Sequence, residues 1–286
     1  SNDLLVDAAT SALAISNTNP GVIQAGNALT ITGANATFNT QSGTVLGNTT
    51  GITVSSLNNS GTLQSNDSMN LAIAEGLTNS GTLLAKTSLS SDSASVTNSG
   101  TLQANDGSTI KATGALDNSG LLLLSDSDAK AGTLNVGTLS NTGAGIIQSA
   151  QDLVINVSGD TLTNAKTIIA ERDLTLTSIV DGMTLTNENG GFIQSGTTSG
   201  DTLTIGGTAV ALNNTSGTIL SNQLAFTLAS LSNAGAIQGG TAISTMGVSG
   251  TLNNAGTLTL ATEGTGNSRV TADTLTNTGT LQSGAG

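Results

Sequence analysis

The chain is expected to be all-β, a right-handed parallel β-helix (β-solenoid) of about 13 coils, and three observations predict it. A short pattern, Leu-x-Asn-x-Gly, returns along the whole chain, as in Leu57-Asn58-Asn59-Ser60-Gly61-Thr62-Leu63-Gln64-Ser65. Between its copies the apolar residues alternate with polar ones, the period of a strand with one buried face. No i, i+3, i+4 spacing of a helix separates them, so βαβ units are excluded. Three short strands per copy then stack as coils, each strand pairing with its equivalent one turn away. The expected hand follows from the general chirality of parallel crossovers.

The repeats are aligned on the Asn of the pattern. That position is held by Asn17, Thr40 as the one exception, Asn59, Asn79, Asn98, Asn118, Asn141, Asn164, Asn187, Asn214, Asn233, Asn254 and Asn277. Successive copies lie about 22 residues apart. At about 4.8 Å per rung, twelve steps make a rod of roughly 58 Å with no globular pocket. Stacked coils form one body, so residues 1–286 are expected to be a single β-helical domain. The Asn column is expected to be a structural ladder of amides bonding to one another or to the turn backbone.

Two residues before each Asn the side chain is always apolar, from Ile15, Phe38 and Leu57 to Leu275. Leu63 and its equivalents form a second inner column. Two residues after Asn, Gly stands in eight copies (Gly61, Gly81, Gly100, Gly120, Gly143, Gly235, Gly256 and Gly279), and Asn189 stands there in another. Gly and Asn are the residues that tolerate positive φ, so this position is expected to need it; Lys166 is the worst fit. Two residues beyond Leu63 the side chain is small, as at Ala25, Gly47, Ser65 and Ala85, with Leu124 and Leu260 as exceptions. A small column beside a Leu column marks a narrow corner of the core, where larger groups would overpack.

One column follows a different rule. Between Leu63 and Ser65 stands Gln64, and its equivalents are Gln24, Leu46, Leu84, Gln103, Leu123, Gln148, Ile169, Gln194, Leu220, Gln238, Thr259 and Gln282. Gln occupies every odd coil and no even one, so the true period is a pair of coils. Gln64, Leu84, Gln103, Leu123, Gln148, Ile169, Gln194 and Leu220 form a candidate binding stripe on the outer surface. Duplication of a two-coil unit is the structural alternative.

Composition narrows the functional classes. Eighteen Asp and Glu against six Lys and Arg give −12, which repels phosphate backbones and anionic membranes, so no nucleic-acid partner is expected. No apolar run approaches the roughly 18 residues that span a bilayer, so no membrane insertion is expected. Ser1-Asn2-Asp3-Leu4 is neither basic nor followed by an apolar h-region, so no signal peptide is expected at this end. The pattern stops after Thr280-Leu281-Gln282-Ser283, which suggests a fragment of a longer shaft. Tyr, Trp, His and Cys are absent, which removes sugar-stacking platforms, the commonest general base and thiolate chemistry. Polysaccharide-active β-helices need clustered carboxylates. The densest candidates are Asp126, Asp128 and Lys130 in one loop, and Glu171, Arg172 and Asp173 in one turn. Both read as solvated, so no enzyme, metal or cofactor is expected. No Gly-Gly-x-Gly-x-Asp calcium repeat occurs. The Thr-x-Thr pairs Thr30/Thr32 and Thr175/Thr177 are too irregular for an ice-binding array, since Ala72 and Ala74 stand in the matching coil.

Units such as Leu77-Thr78-Asn79-Ser80-Gly81-Thr82-Leu83 and Leu116-Asp117-Asn118-Ser119-Gly120 resemble the haemagglutinin repeats of filamentous-haemagglutinin-like exoproteins, the cargo of two-partner secretion in Gram-negative bacteria. The resemblance covers nearly the whole chain. It implies a secreted shaft on the bacterial outer cell surface, threaded through an outer-membrane β-barrel secretion partner. It implies an adhesin that meets a cell-surface receptor or polysaccharide, or a biofilm protein, with the stalk of a contact-dependent growth inhibition toxin as the alternative. Asn19-Pro20-Gly21 reads as a turn rather than as that family's secretion motif. Three coils carry extra length, at Ser125 to Ala131, Gly196 to Gly200 and Glu263 to Asn267, and are the places for local contacts.

Overall fold

The computed structural model describes residues 2–8, 13–127, 130–263 and 266–284. Its strands form a parallel β-solenoid of about 13 turns with three faces. In coil 8 the first face is Leu153–Val157, the second Thr161–Asn164 and the third Thr167–Ala170. Every third-face strand pairs with its equivalents in the adjoining coils, giving a 13-stranded parallel sheet; the other two faces form a second sheet of 20 strands.

Coils 2 to 7 depart from three short strands. Their first and second faces are one bent strand, such as Ala28–Asn39, Met69–Asn79 or Ser108–Asn118. The pairing slips at each bend, for example between Val54 and Ser56 and between Ser93 and Ser95. A bulge at the corner turns the chain while keeping its hydrogen bonds, which a period-two reading cannot distinguish from a break.

The interior is made of columns. Phe38, Leu57, Leu77, Val96, Leu116 and Leu139 lie above one another on the second face, and Leu63, Leu83, Leu102, Leu122 and Ile147 on the third; all are buried. The end coils leave the same columns open, with Leu275 half-exposed. Coil 5 is the weak layer. Its first face puts Ser91 between Leu71 and Ile110, and the buried Ser91 hydroxyl has no hydrogen-bond partner. This stretch, Leu89–Asn98, lacks apolar alternation and still forms a strand, because both neighbours supply a template.

The Asn column is a continuous chain of side-chain hydrogen bonds. Asn59 Nδ2 donates to Asn79 Oδ1 at 2.7 Å, Asn79 to Asn98 at 2.8 Å, Asn98 to Asn118 at 2.9 Å, and so on through Asn141, Asn164, Asn187, Asn214, Asn233 and Asn254 to Asn277. The same nitrogen also donates to a carbonyl at the start of the next third-face strand, as Asn59 does to Thr82 O at 2.9 Å. Thr40 begins the chain, its hydroxyl donating to Asn59 Oδ1 at 2.8 Å. Asn17 stands apart and donates to Thr44 O at 2.9 Å.

The glycine column requires a correction. Of the eight glycines aligned after Asn, only Gly143 has positive φ, at 60°. The others are there for closeness: a Cβ on Gly81 would meet the carbonyl oxygen of Gly61 far inside contact distance, and Gly100, Gly120, Gly256 and Gly279 repeat the geometry with the coil before. The position is better defined as the residue before the third-face strand, whose carbonyl accepts from the next coil, as Gly61 O does from Thr82 N at 2.8 Å. On that definition Gly21, Gly43, Gly145, Gly191 and Gly217 join the column, and Lys166 is its one other occupant. Gly143 and Asn189 belong to longer turns, where Asn189 has φ 51°.

The small-residue corner holds, with one correction. Leu124 is not in the column; a bulge lets Ser125 pair with Ser149, while Leu124 turns into the core against Gly132, where a Cβ would strike it. The serines close the corner, as when Ser65 Oγ donates to Ser68 O at 2.7 Å.

Three stability measurements check these assignments by denaturant unfolding. Gly81→Ala is expected to cost about 1–3 kcal/mol, while Gly51→Ala, with nothing within 4 Å of its Cβ, stays within about 0.5 kcal/mol of the parent. Asn118→Ala leaves two buried amides short of a partner and is expected to cost about 2–3 kcal/mol, against under about 0.5 kcal/mol for the exposed Asn58→Ala. Ser91→Val replaces the unpartnered hydroxyl with apolar bulk and is expected to stabilise by about 1 kcal/mol; a loss would mean the layer has no room.

Candidate functional site

The Gln/Leu stripe lies on the third face, the 13-stranded sheet. Each of its 13 strands points its first and third residues outward. Register brings the third residues into one column: Gln64 pairs with Leu84, Leu84 with Gln103, Gln103 with Leu123, Leu123 with Gln148, Gln148 with Ile169, Ile169 with Gln194 and Gln194 with Leu220. All eight are half-buried, because the rows above and below cover their flanks. The amides of Gln64 and Gln103 donate to Asn66 and Asn105 Oδ1, both at 3.2 Å.

A second outward column runs beside the first, one that the sequence pattern does not single out. It contains Val22, Thr44, Thr62, Thr82, Thr101, Leu121, Ile146, Thr167, Phe192, Thr218, Ala236, Thr257 and Thr280. Its signal was present: each residue stands two before the Gln/Leu position and is uncharged. Together the two columns carry Val22, Leu46, Leu84, Leu121, Leu123, Ile146, Ile169, Phe192 and Leu220. On the strands of the other two faces the large apolar residues that point outward are Leu5 and Val154. No outward strand position on the third face is charged. Asp7, Asp92, Lys111 and Arg269 project from the first face, and Asp117 from the second.

The carboxylates collect at the corner from the third face to the first. Asp67 Oδ1 accepts from the Thr87 hydroxyl at 2.7 Å, and Asp173 Oδ1 from Thr202 N at 2.8 Å, so these acids tie one corner to the next. The sequence-level acid clusters are dispersed here. Lys130 pairs with Asp106 at 3.4 Å rather than with Asp126, and Asp128 lies outside the described residues. Arg172 turns to Asp152 at 3.9 Å and to Gln151 at 3.4 Å, away from Glu171 and Asp173. Exposed pairs of this kind contribute about 0–1 kcal/mol each. No group of three or more His, Cys, Asp or Glu that could hold a metal occurs among the described residues.

Of the longer loops, Gly196 to Gly200 is closed by Asp201, whose Oδ2 accepts from Thr198 N at 3.0 Å and from the Thr198 hydroxyl at 2.5 Å. Ser125 to Ala131 and Glu263 to Asn267 each include residues outside the described set. The rod is not featureless, however. An open groove of about 410 Å³ follows the bend between the first and second faces, lined by Ala34, Thr53, Ala72, Ala74, Asp92 and Thr113 among others. The groove runs along the bulged corners from Ala34 of coil 2 to Thr113 of coil 6.

The fold and surface define a parallel β-solenoid with one uncharged, partly apolar face. Comparison with protein-family models, with curated proteins and with solved structures returns no match to this chain.

Proposed function

We propose that the chain is a shaft segment of a large secreted adhesin that stands on the bacterial outer surface and mediates cell–cell or cell–surface contact. The observation that carries this reading is the contrast between interior and exterior. The ladder runs unbroken from Thr40 to Asn277 and the glycine column has one substitution, Lys166, as a rigid spacer requires, while the exterior offers one long uncharged face suited to extended contact. The likeness of the repeats to haemagglutinin repeats supplies the export route, an outer-membrane β-barrel partner. Coil-by-coil folding suits that route, because each coil templates the next through local contacts and needs no ATP. A cysteine-free chain also forms no disulfide that would obstruct threading.

Beads coated with the 286-residue chain are expected to bind bacterial cells or matrix polysaccharide. Replacing Leu84, Leu123, Ile169 and Leu220 with Ser should leave the circular dichroism spectrum intact and lower bead binding at least tenfold. Unchanged binding by the folded variant would overturn the role of the third face.

A further inference from the structure

We infer that the partner of the third face is a second copy of this chain, lying antiparallel against it about a two-fold axis through a coil, which is coil 7 when all 13 coils of the 286-residue chain overlap. The inference deepens the proposed adhesion by naming what that face contacts, and it rests on area, charge and register.

The face measures roughly 58 Å along the axis by about 13 Å across, so pairing two copies removes about 750 Å² from each, or about 1,500 Å² in all. Stable specific interfaces bury about 1,200–2,000 Å². Charge directs the choice of face. Two copies at −12 repel each other; the third face carries no charge at its strand positions, and the acids of the adjoining corner, such as Asp67 and Asp106, fall at the rim of the pair, where water and salt screen them. A receptor selected by charge would find nothing here to read.

Register selects the orientation. In an antiparallel pair centred on coil 7, coil n faces coil 14 − n, which has the same parity. The alternation of amide and aliphatic along the column then matches itself across the interface. Gln148 meets its own copy, Leu123 meets Ile169, Leu84 meets Leu220, and Gln103 meets Gln194. Aliphatic side chains fall on aliphatic ones, and amides on amides that can bond across the gap. A face with a one-coil period would pair in any register; the two-coil period excludes slips by a single coil. A parallel arrangement would set each Gln/Leu column against the Thr-rich column and lose this matching.

The test is the mass and the cross-linking pattern of the 286-residue chain. Light scattering should give twice 27.9 kDa, and the double variant Leu123→Lys, Ile169→Lys, altered only at outward positions, should give one chain of unchanged circular dichroism. The parent has no cysteine, so single introduced thiols report contacts directly. Gln148→Cys should oxidise to a disulfide dimer, Leu84→Cys alone should not, and Leu84→Cys mixed with Leu220→Cys should. A monomer at about 100 μM overturns the inference, since a contact of this size should bind more tightly than that. Cross-linking of Leu84→Cys alone as efficient as that of Gln148→Cys overturns the antiparallel arrangement. Failure here leaves the bead-binding result untouched, so a monomer that still coats cells would retain the adhesin reading and discard self-pairing.

Discussion

Asn118 accepts from Asn98 and donates to Asn141, and its nitrogen also reaches Gly120 O and Ile146 O in the turns around it. One buried amide therefore fixes the spacing of three coils. The link works only at the separation of parallel strands, about 4.8 Å, because the amide-to-amide bond spans that distance and no other. The turn backbone must then descend to the same spacing, which is why a Cβ on Gly120 would strike the Gly100 carbonyl. Ladder and glycine column are thus one constraint seen from two sides. Because every Nδ2 points toward the next coil, the amide dipoles align, and neighbouring bonds in such a chain strengthen one another.

Around that axis of turns the apolar columns supply the bulk of the stabilisation. A Leu above a Leu keeps every layer the same thickness, so each coil has nearly the core of the one before. The scheme tolerates a defective layer, as coil 5 demonstrates with Ser91 buried between Leu71 and Ile110 and Ser93 between Ile73 and Ala112. It tolerates loop length as well. Turns of two or more extra residues at Gly143 and Asn189 enter positive φ to rejoin the stack at Gly145 and Gly191, and the hydrogen bonds beyond them are unchanged in kind.

What could be read from the residues follows the same division. The Asn column, the Leu columns and the stripe were legible because stacking converts sequence period directly into spatial adjacency. The glycines were found but given the wrong cause. Positive φ and close backbone approach both demand Gly, and a single sequence does not separate them; the second depends on an atom in another coil, the Gly61 carbonyl for Gly81. Leu124 was misplaced because one bulge shifts the count by a residue without changing the local alternation. The bent strands of coils 2 to 7 were hidden for a related reason, since a bulge at a corner looks like the end of a strand. The second outward column of the third face was overlooked because Thr is so common here that a column of it carries little signal.

The doubled period is the feature that the interior does not explain. Ladder, glycines, Leu columns and the small corner all repeat once per coil, and each is satisfied by its nearest neighbours alone. A rod built only to stack has no use for distinguishing odd coils from even ones. Gln and Leu alternate where both side chains point out, and they leave the strand pairing beneath them the same in odd and even coils. On the self-pairing proposed above, the alternation acts on the copy lying against the surface, which must itself carry features about 9.6 Å apart, two rungs of a parallel sheet. A second copy of the same face meets that condition by construction.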